Sequence, residues 1–260
     1  MLTDTHVHFD LMAAGGADLP ASLQRAAAAG VTQILAVGGT PTANHLALEL
    51  ARAYPGRINA AAALGRDQPW DPGTLRELQD LLHKPEFVAI GETGLDFHYG
   101  RRDNPVPRRQ FQAMLQLAAG MGLPVLVHSR EADAEILELL SDHARNWQGP
   151  ADAIGIMHCF TGNADYAQKL LALGFCISFS GIVTFKNSQS LREAAATVPD
   201  DRLLLETDAP FLAPEPCRGR SNEPARLRPI AECLARLRGA TLEELAHYTS
   251  ANAARVLRRH

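Results

Sequence analysis

Two textures alternate along this chain. Short continuous apolar runs occupy 2–8, 33–38, 58–64, 87–92, 124–128, 153–159, 175–180 and 202–207. Between and after them lie amphipathic stretches of helical length at 19–29, 42–54, 73–83, 106–120, 131–144, 163–173, 188–197 and 225–238. An unbroken apolar run bounded by polar residues suits a strand covered on both faces, as in a parallel sheet. Eight such β/α units in 260 residues predict one domain, 1–260, folded as a TIM-type (β/α)8 barrel of the α/β class. A C-terminal extra helix is predicted over about 241–258, opened by a capping box of Thr241 and Glu244.

Many of the apolar runs stop at a residue able to bind a metal. The first ends in Asp4-Thr5-His6-Val7-His8, and alternate side chains of a strand share a face, so His6 and His8 point together. Glu92 closes Val88-Ala89-Ile90-Gly91-Glu92, His128 closes Pro124-Val125-Leu126-Val127-His128, and His158 closes Ile154-Gly155-Ile156-Met157-His158. Asp208 follows Leu203-Leu204-Leu205-Glu206-Thr207. In a barrel these ends share one mouth, the place where such folds keep their chemistry. An open, doubly wound sheet would show the same alternation, but only closure brings strand 1, with His6 and His8, beside strand 8, with Asp208.

Six donors exceed the three protein ligands that one catalytic tetrahedral ion needs. The pattern therefore predicts two divalent ions per chain, with Glu92 bridging them. His6, His8 and Asp208 would complete one ion, and His128 and His158 the other. Zn, Mn and Mg are the candidate metals; mixed imidazole and carboxylate ligands suit Zn, Mn or Fe better than Mg. Two ions roughly 3.5–4 Å apart that share a water form a common device for phosphoester hydrolysis.

Composition narrows the reading. Hydrophobic residues make up 46% of the chain and the formal net charge is −4, so no basic field exists to hold a long nucleic acid. A nucleic-acid substrate would be held locally, as a short single-stranded or terminal segment of DNA. The four cysteines show no metal-ligand spacing, no apolar run reaches membrane-span length, and no secretory leader is evident, which predicts a cytoplasmic protein with no membrane association and no obligate protein partner.

The stretches DTHVHFD, GETGLDF, VHSR, HCFTG, ETDAPFLAP and RGRSNEP resemble, in order and spacing, the TatD family of metal-dependent deoxyribonucleases, a branch of the amidohydrolase-like metallo-barrels. The resemblance extends through FCISFSGIVTFKNS to the terminal SANAARVL and so covers nearly the whole chain. It implies that His6, His8, Glu92, His128, His158 and Asp208 are the metal ligands, and that the activity is hydrolysis of DNA phosphodiesters, 3′→5′ exonucleolytic in characterised members. Many relatives in the wider superfamily bridge their metals with a carbamylated lysine from strand 4; the glutamate here counts against an amidase of that type.

Around this set, Asp4 and Glu206 lie on the same strand faces as His6 and Asp208 and are expected to support the ligands from behind. Catalytic roles are assigned to Asp208 and Glu92. Arg130, Asn222, Glu223 and His98 are expected to contact substrate, with Arg218 and Arg220 in the same loop as Asn222, while the alternative for Arg130 is a salt bridge to an acid such as Glu131. Trp70 and Phe97 could stack on a terminal base, although lone aromatics usually pack. Cys159 reads as a buried apolar thiol, and His45, His83, His143, His247 and His260 as surface residues. The expected reaction is in-line attack of an ion-activated water on phosphorus, with Asp208 accepting or orienting its proton and no covalent intermediate. Two rivals remain: an ester or amide hydrolase on the same ions, such as a D-aminoacyl-tRNA deacylase, and a non-enzymatic metal-binding scaffold.

Overall fold

In the computed structural model, which describes residues 1–65, 68, 71–98 and 103–258, eight strands form one all-parallel sheet in sequential order. They are β1 (Leu2–Val7), β2 (Val31–Val37), β3 (Ile58–Ala62), β4 (Phe87–Asp96), β5 (Val125–Arg130), β6 (Gly155–Met157), β7 (Cys176–Phe179) and β8 (Leu203–Leu205). The sheet closes where Val7 of β1 bridges Ala209, beyond the end of β8. At that seam the His8 amide donates to Ala209 O at 2.9 Å and the Asp208 amide to His6 O at 3.0 Å. The predicted (β/α)8 barrel is therefore the fold.

The helices are α1 (Phe9–Ala14), α2 (Leu19–Ala28), α3 (Pro41–Ala53), α4 (Pro72–Leu82), α5 (Pro105–Met121), α6 (Asp133–Asn146), α7 (Ala164–Ala172), α8 (Gln189–Thr197), α9 (Leu227–Arg238) and α10 (Leu242–Val256). Local chemistry starts many of them. Side chains of Asp18, Thr40, Asp71, Asn104 and Asn163 accept backbone amides at the starts of α2, α3, α4, α5 and α7, and proline occupies the first turn of the first four. Thr241 and Glu244 form the predicted capping box of α10. The short α1 lay outside the predicted helices; its six residues are too few for the period to register.

Alternation along the strands divides the core in two. Leu35, Ala61, Ala89, Leu126, Ile156 and Leu204 form an inner cluster together with Ala253, Val256 and Leu257 from the α10 end. Asn252 of α10 donates its amide to Asp200 O and Leu203 O, at the entrance to β8. The extra helix thus caps the N-terminal end of the barrel and leaves the opposite end for the site. Two residues above the inner Leu126 and Ile156 come His128 and His158, and above Leu204 come Glu206 and Asp208, so the period of the strand carries apolar packing upward into polar chemistry.

Strand boundaries differ from expectation at the mouth. β4 continues to Asp96, so Glu92 sits within the strand and not at its end. Pairing with β5 steps from Ile90–Val125 to Thr93–Val127, three residues against two, which is a bulge at Glu92. β6 and β8 are shorter than predicted, which leaves His158 just beyond its strand and Asp208 three residues past β8. Polar ligand positions are freed from regular pairing in this way.

Candidate metal centre

All six predicted donors converge at the mouth. One carboxylate oxygen of Glu92, Oε2, lies 3.4 Å from His6 Nε2 and 3.3 Å from His8 Nε2. The other, Oε1, lies 2.9 Å from His128 Nδ1 and 3.3 Å from His158 Nε2. Asp208 Oδ1 is 3.5 Å from His8 Nε2. Three groups have donor atoms within 4.8 Å of one another, His6–His8–Asp208, Glu92–His128–His158 and, behind them, His6–His158–Glu206.

Backbone features bring these side chains together. At Gly94 φ is +149°, and a Cβ there would fall 2.0 Å from His128 O, so only glycine lets β4 and β5 approach this closely. Asp208 has φ +56°, a left-handed conformation that costs an ordinary residue about 1–2 kcal/mol. Its amide bonds His6 O and its carbonyl accepts the Phe211 amide at 2.8 Å, and these bonds hold the turn that aims the carboxylate inward.

Carboxylates also stand behind the histidines. Glu206, fully buried, places Oε1 3.3 Å from His158 Nδ1 and accepts the Cys159 amide at 2.6 Å. Asp96 Oδ2 is 3.5 Å from His128 Nε2. The Glu206 contact fixes which ring nitrogen of His158 keeps its lone pair. Sequence reasoning found Glu206 and missed Asp96; the signal was present in its even spacing from Glu92 on the same strand.

The electrostatics call for positive charge. Burial, then the neighbouring His158, pushes His6 down to about 3, which leaves it neutral with a lone pair available to a metal. Burial also opposes charge on His8, but hydrogen bonds to Asp208 and Glu92 outweigh it and raise its pKa to about 10. Glu92, despite burial, is held well below its ordinary value by His158, His128 and His6. The ring nitrogens meet in pairs, His6 Nε2 with His8 Nε2 and His128 Nδ1 with His158 Nε2, each at 3.2 Å. His6 Nδ1 is buried with no hydrogen-bond partner among the described residues. Crowded imidazole nitrogens around shared carboxylates fit divalent cations, which all the lone pairs can face at once.

The site forms the floor of a cavity of about 360 Å³ whose lining includes His8, Thr40, Gly65, Gln68 and Phe211. Cys159 differs from expectation: it is partly buried and its Sγ lies 3.3 Å from Ser180 Oγ. Burial, with Asp208 and Glu206 nearby, pushes that thiol well up, so it stays protonated.

The predicted substrate contacts are distributed differently. Asn222 is 2% exposed and donates to Thr207 O at 2.9 Å and Phe211 O at 2.7 Å, while its Oδ1 accepts the Glu223 amide at 2.9 Å. Its amide holds the loop after β8 together instead of facing a ligand. Glu223 accepts three bonds from Arg25 of α2, at 3.2, 2.9 and 2.6 Å, which tie the same loop to the barrel wall. His98 is exposed after β4 and its Nδ1 lies 2.6 Å from Glu131 Oε1. Arg130 is exposed at the end of β5. Arg218 stacks over Phe185 at 4.3 Å. Phe97 packs against the core, and Trp70 and His260 lie outside the described residues. His143, expected at the surface, is 5% exposed beside Trp147, because α6 turns that face toward its neighbours. Sequence reasoning also passed over Phe211, although it stands three residues after Asp208.

The family model described as TatD related DNase matches residues 3–258. An uncharacterized metal-dependent hydrolase of Bacillus subtilis, YabD, is 36% identical, with 99% of each chain covered. A protein of Erwinia tasmaniensis named 3'-5' ssDNA/RNA exonuclease TatD is 38% identical, with 90% of this chain and 91% of that one covered. Among solved structures, the Escherichia coli TatD homolog YJJV superposes with a TM-score of 0.89 at 30% identity, over 98% of this chain and 97% of the other. By sequence and by fold, the chain belongs to the TatD-related DNase family and is a metal-dependent hydrolase.

Proposed function

We propose that the protein is a DNA phosphodiesterase that removes nucleotides from a 3′ end, using two divalent ions in the site described. The observation that carries the reading is Glu92, whose two oxygens each face a different histidine pair. His6, His8 and Asp208 would hold one ion and His128 and His158 the other, with Glu92 shared between them. Such ions, when bound, would activate a water as nucleophile and offset charge on phosphoryl oxygens.

The chain's own groups supply the rest. Asp208 lines the cavity floor and accepts the proton of the attacking water at its carboxylate. Glu206 and Asp96 keep His158 and His128 in single orientations. Arg130, exposed at the rim, offers two parallel donors to a phosphate. No nucleophilic side chain is required: Cys159 remains a thiol, and Ser129 Oγ donates to Asp133 at 2.7 Å. The name of the Erwinia tasmaniensis relative supports both polarity and substrate class.

The test is a single-stranded oligonucleotide labelled at each end in turn and incubated with metal-loaded protein. A ladder of single-nucleotide steps from the 3′ end that disappears in Asp208→Asn is expected. An inert oligonucleotide alongside turnover of D-aminoacyl esters would move the site to carbonyl chemistry.

A further inference from the structure

Phe211 is an aromatic ring that the fold holds outside its core. Among the described residues the large hydrophobics most exposed are Met1, Leu11, Val106 and Phe211, and two of these, Leu11 at 40% and Phe211 at 49%, line the cavity over the metal centre. An exposed apolar side chain is ordinary on a surface, but a pair flanking a polar reaction site is a recognition feature.

The backbone that presents Phe211 is held at three points. Its amide donates to Asp208 O at 2.8 Å, its carbonyl accepts from Asn222 Nδ2 at 2.7 Å, and the preceding carbonyl, that of Pro210, accepts the Asn222 amide at 2.9 Å. Three bonds on two consecutive residues fix the backbone while the ring stays half in solvent. Its one described ring contact is edge-on, to the proposed metal ligand His8, with centroids 6.2 Å apart at 70°. A flat apolar face on a backbone held in place, one residue contact from the reacting centre, matches the faces of a nucleobase better than it matches a phosphate or a small acyl group.

We propose that Phe211 is the stacking platform for the base of the nucleotide being removed, with Leu11 bounding the same space. This rests on the phosphodiesterase reading and makes it more specific: the site takes a terminal nucleotide whose base has left its helical stack. A terminus still paired and stacked would have to surrender those contacts first, so single-stranded ends bind better than duplex ends.

The experiment compares two oligonucleotides that differ only in whether the 3′-terminal nucleotide carries its base. With wild-type protein the base-bearing form should have a KM lower by roughly tenfold, the scale of one aromatic–base stack. In Phe211→Ala that ratio should fall to about one, and Phe211→Trp should restore it. A direct readout uses 2-aminopurine as the terminal base with a phosphorothioate at the terminal linkage. Its fluorescence should be quenched on binding wild type and the Trp variant, and not on binding the Ala variant. Unchanged discrimination and unchanged quenching in Phe211→Ala overturn the stacking role while leaving the exonuclease reading intact. A wild-type protein inert toward both oligonucleotides overturns both. Equal metal content in the three proteins confirms that the centre itself is preserved.

Discussion

Asp4 on β1 and Thr207 beyond β8 are joined by two hydrogen bonds, from the Thr207 amide at 2.9 Å and its hydroxyl at 2.6 Å, although 203 residues separate them. The same Asp4 Oδ1 accepts the His6 amide at 3.3 Å. One buried carboxyl group, its pKa raised by burial to about 8, thus clasps the barrel at its seam and sets the relative height of the strands that carry His6, His8 and Asp208. Thr5, its neighbour, bonds Leu205 O at 3.0 Å across the same junction.

Removing that clasp should cost both stability and site geometry. Asp4→Ala leaves the buried Thr207 amide and the hydroxyl proton without an acceptor, although the hydroxyl oxygen keeps the Ala209 amide, and about 3 kcal/mol of unfolding free energy is expected to go with them. Urea denaturation measures it. The Asp4→Ala, Thr207→Val double variant should lose less than the sum of the two single changes, because both delete the same contact. Additive losses would show that the pair is not coupled.

Metal stoichiometry distinguishes the bridging side chain from the terminal ones. Wild-type protein kept free of chelator should carry two divalent ions per chain by elemental analysis. Glu92→Ala should lose both and His158→Ala mainly one. Saturation at a single ion in the wild type would contradict the dinuclear arrangement, and equal one-ion losses in the two variants would contradict bridging by Glu92.

Glu206 should act through His158. With Glu206→Gln the Cys159 amide keeps an acceptor, while the ring loses its charged partner. Metal affinity is expected to fall about 10–100-fold, read by competition with a chromogenic chelator, with little change in melting temperature. A large fall in melting temperature at unchanged affinity would assign Glu206 to the fold alone.

Acid should weaken the protein partly through His143. Burial lowers this histidine from its ordinary 6.5 to about 4, so as pH falls the unfolded chain takes up the proton first. The folded state is therefore penalised progressively between pH 6.5 and 4, by about 3 kcal/mol at most, and the penalty levels off below that range. Chelator-treated wild type and His143→Gln should be compared by denaturation across this window. The variant is expected to lose less stability over it, and parallel curves would show that His143 does not carry the effect.

Binding of a short oligonucleotide should depend only weakly on salt, since a chain with net charge −4 has no extended basic track. A slope of log affinity against log salt equivalent to one to three phosphates is expected, roughly −0.7 per phosphate for single strands. Arg130→Ala should reduce that slope without releasing metal; a steep slope would indicate a longer groove.

How much of this was legible beforehand follows from what each signal depends on. The eight apolar runs and the helical periods between them reflect burial, which composition along the chain records directly, so the barrel and all six donors could be placed from sequence. The cap of α10 was legible for the same reason, since Thr241 and Glu244 interact within one turn. Asn222 and Glu223 show where such reading stops. Both are polar residues in a loop near the mouth, and nothing local indicates that one would bond the carbonyls of Thr207 and Phe211 and the other would reach Arg25, 198 residues away. His143 reads as a surface residue until α6 is packed against its neighbours.

By itself, the sequence determined the alternation of buried strands with helices and which metal-binding types of side chain lie toward one mouth of the barrel, because strand alternation and apolar patterning are local properties. Their division into two groups about Glu92 was expected from the sequence; only the tertiary structure set the distances at which the donors meet. The split of Glu92 between two histidine pairs needs four strands at fixed heights around a closed barrel. The exposure of Phe211 depends on a loop held by partners distant in sequence. Both are consequences of long-range closure, which no window along the chain contains.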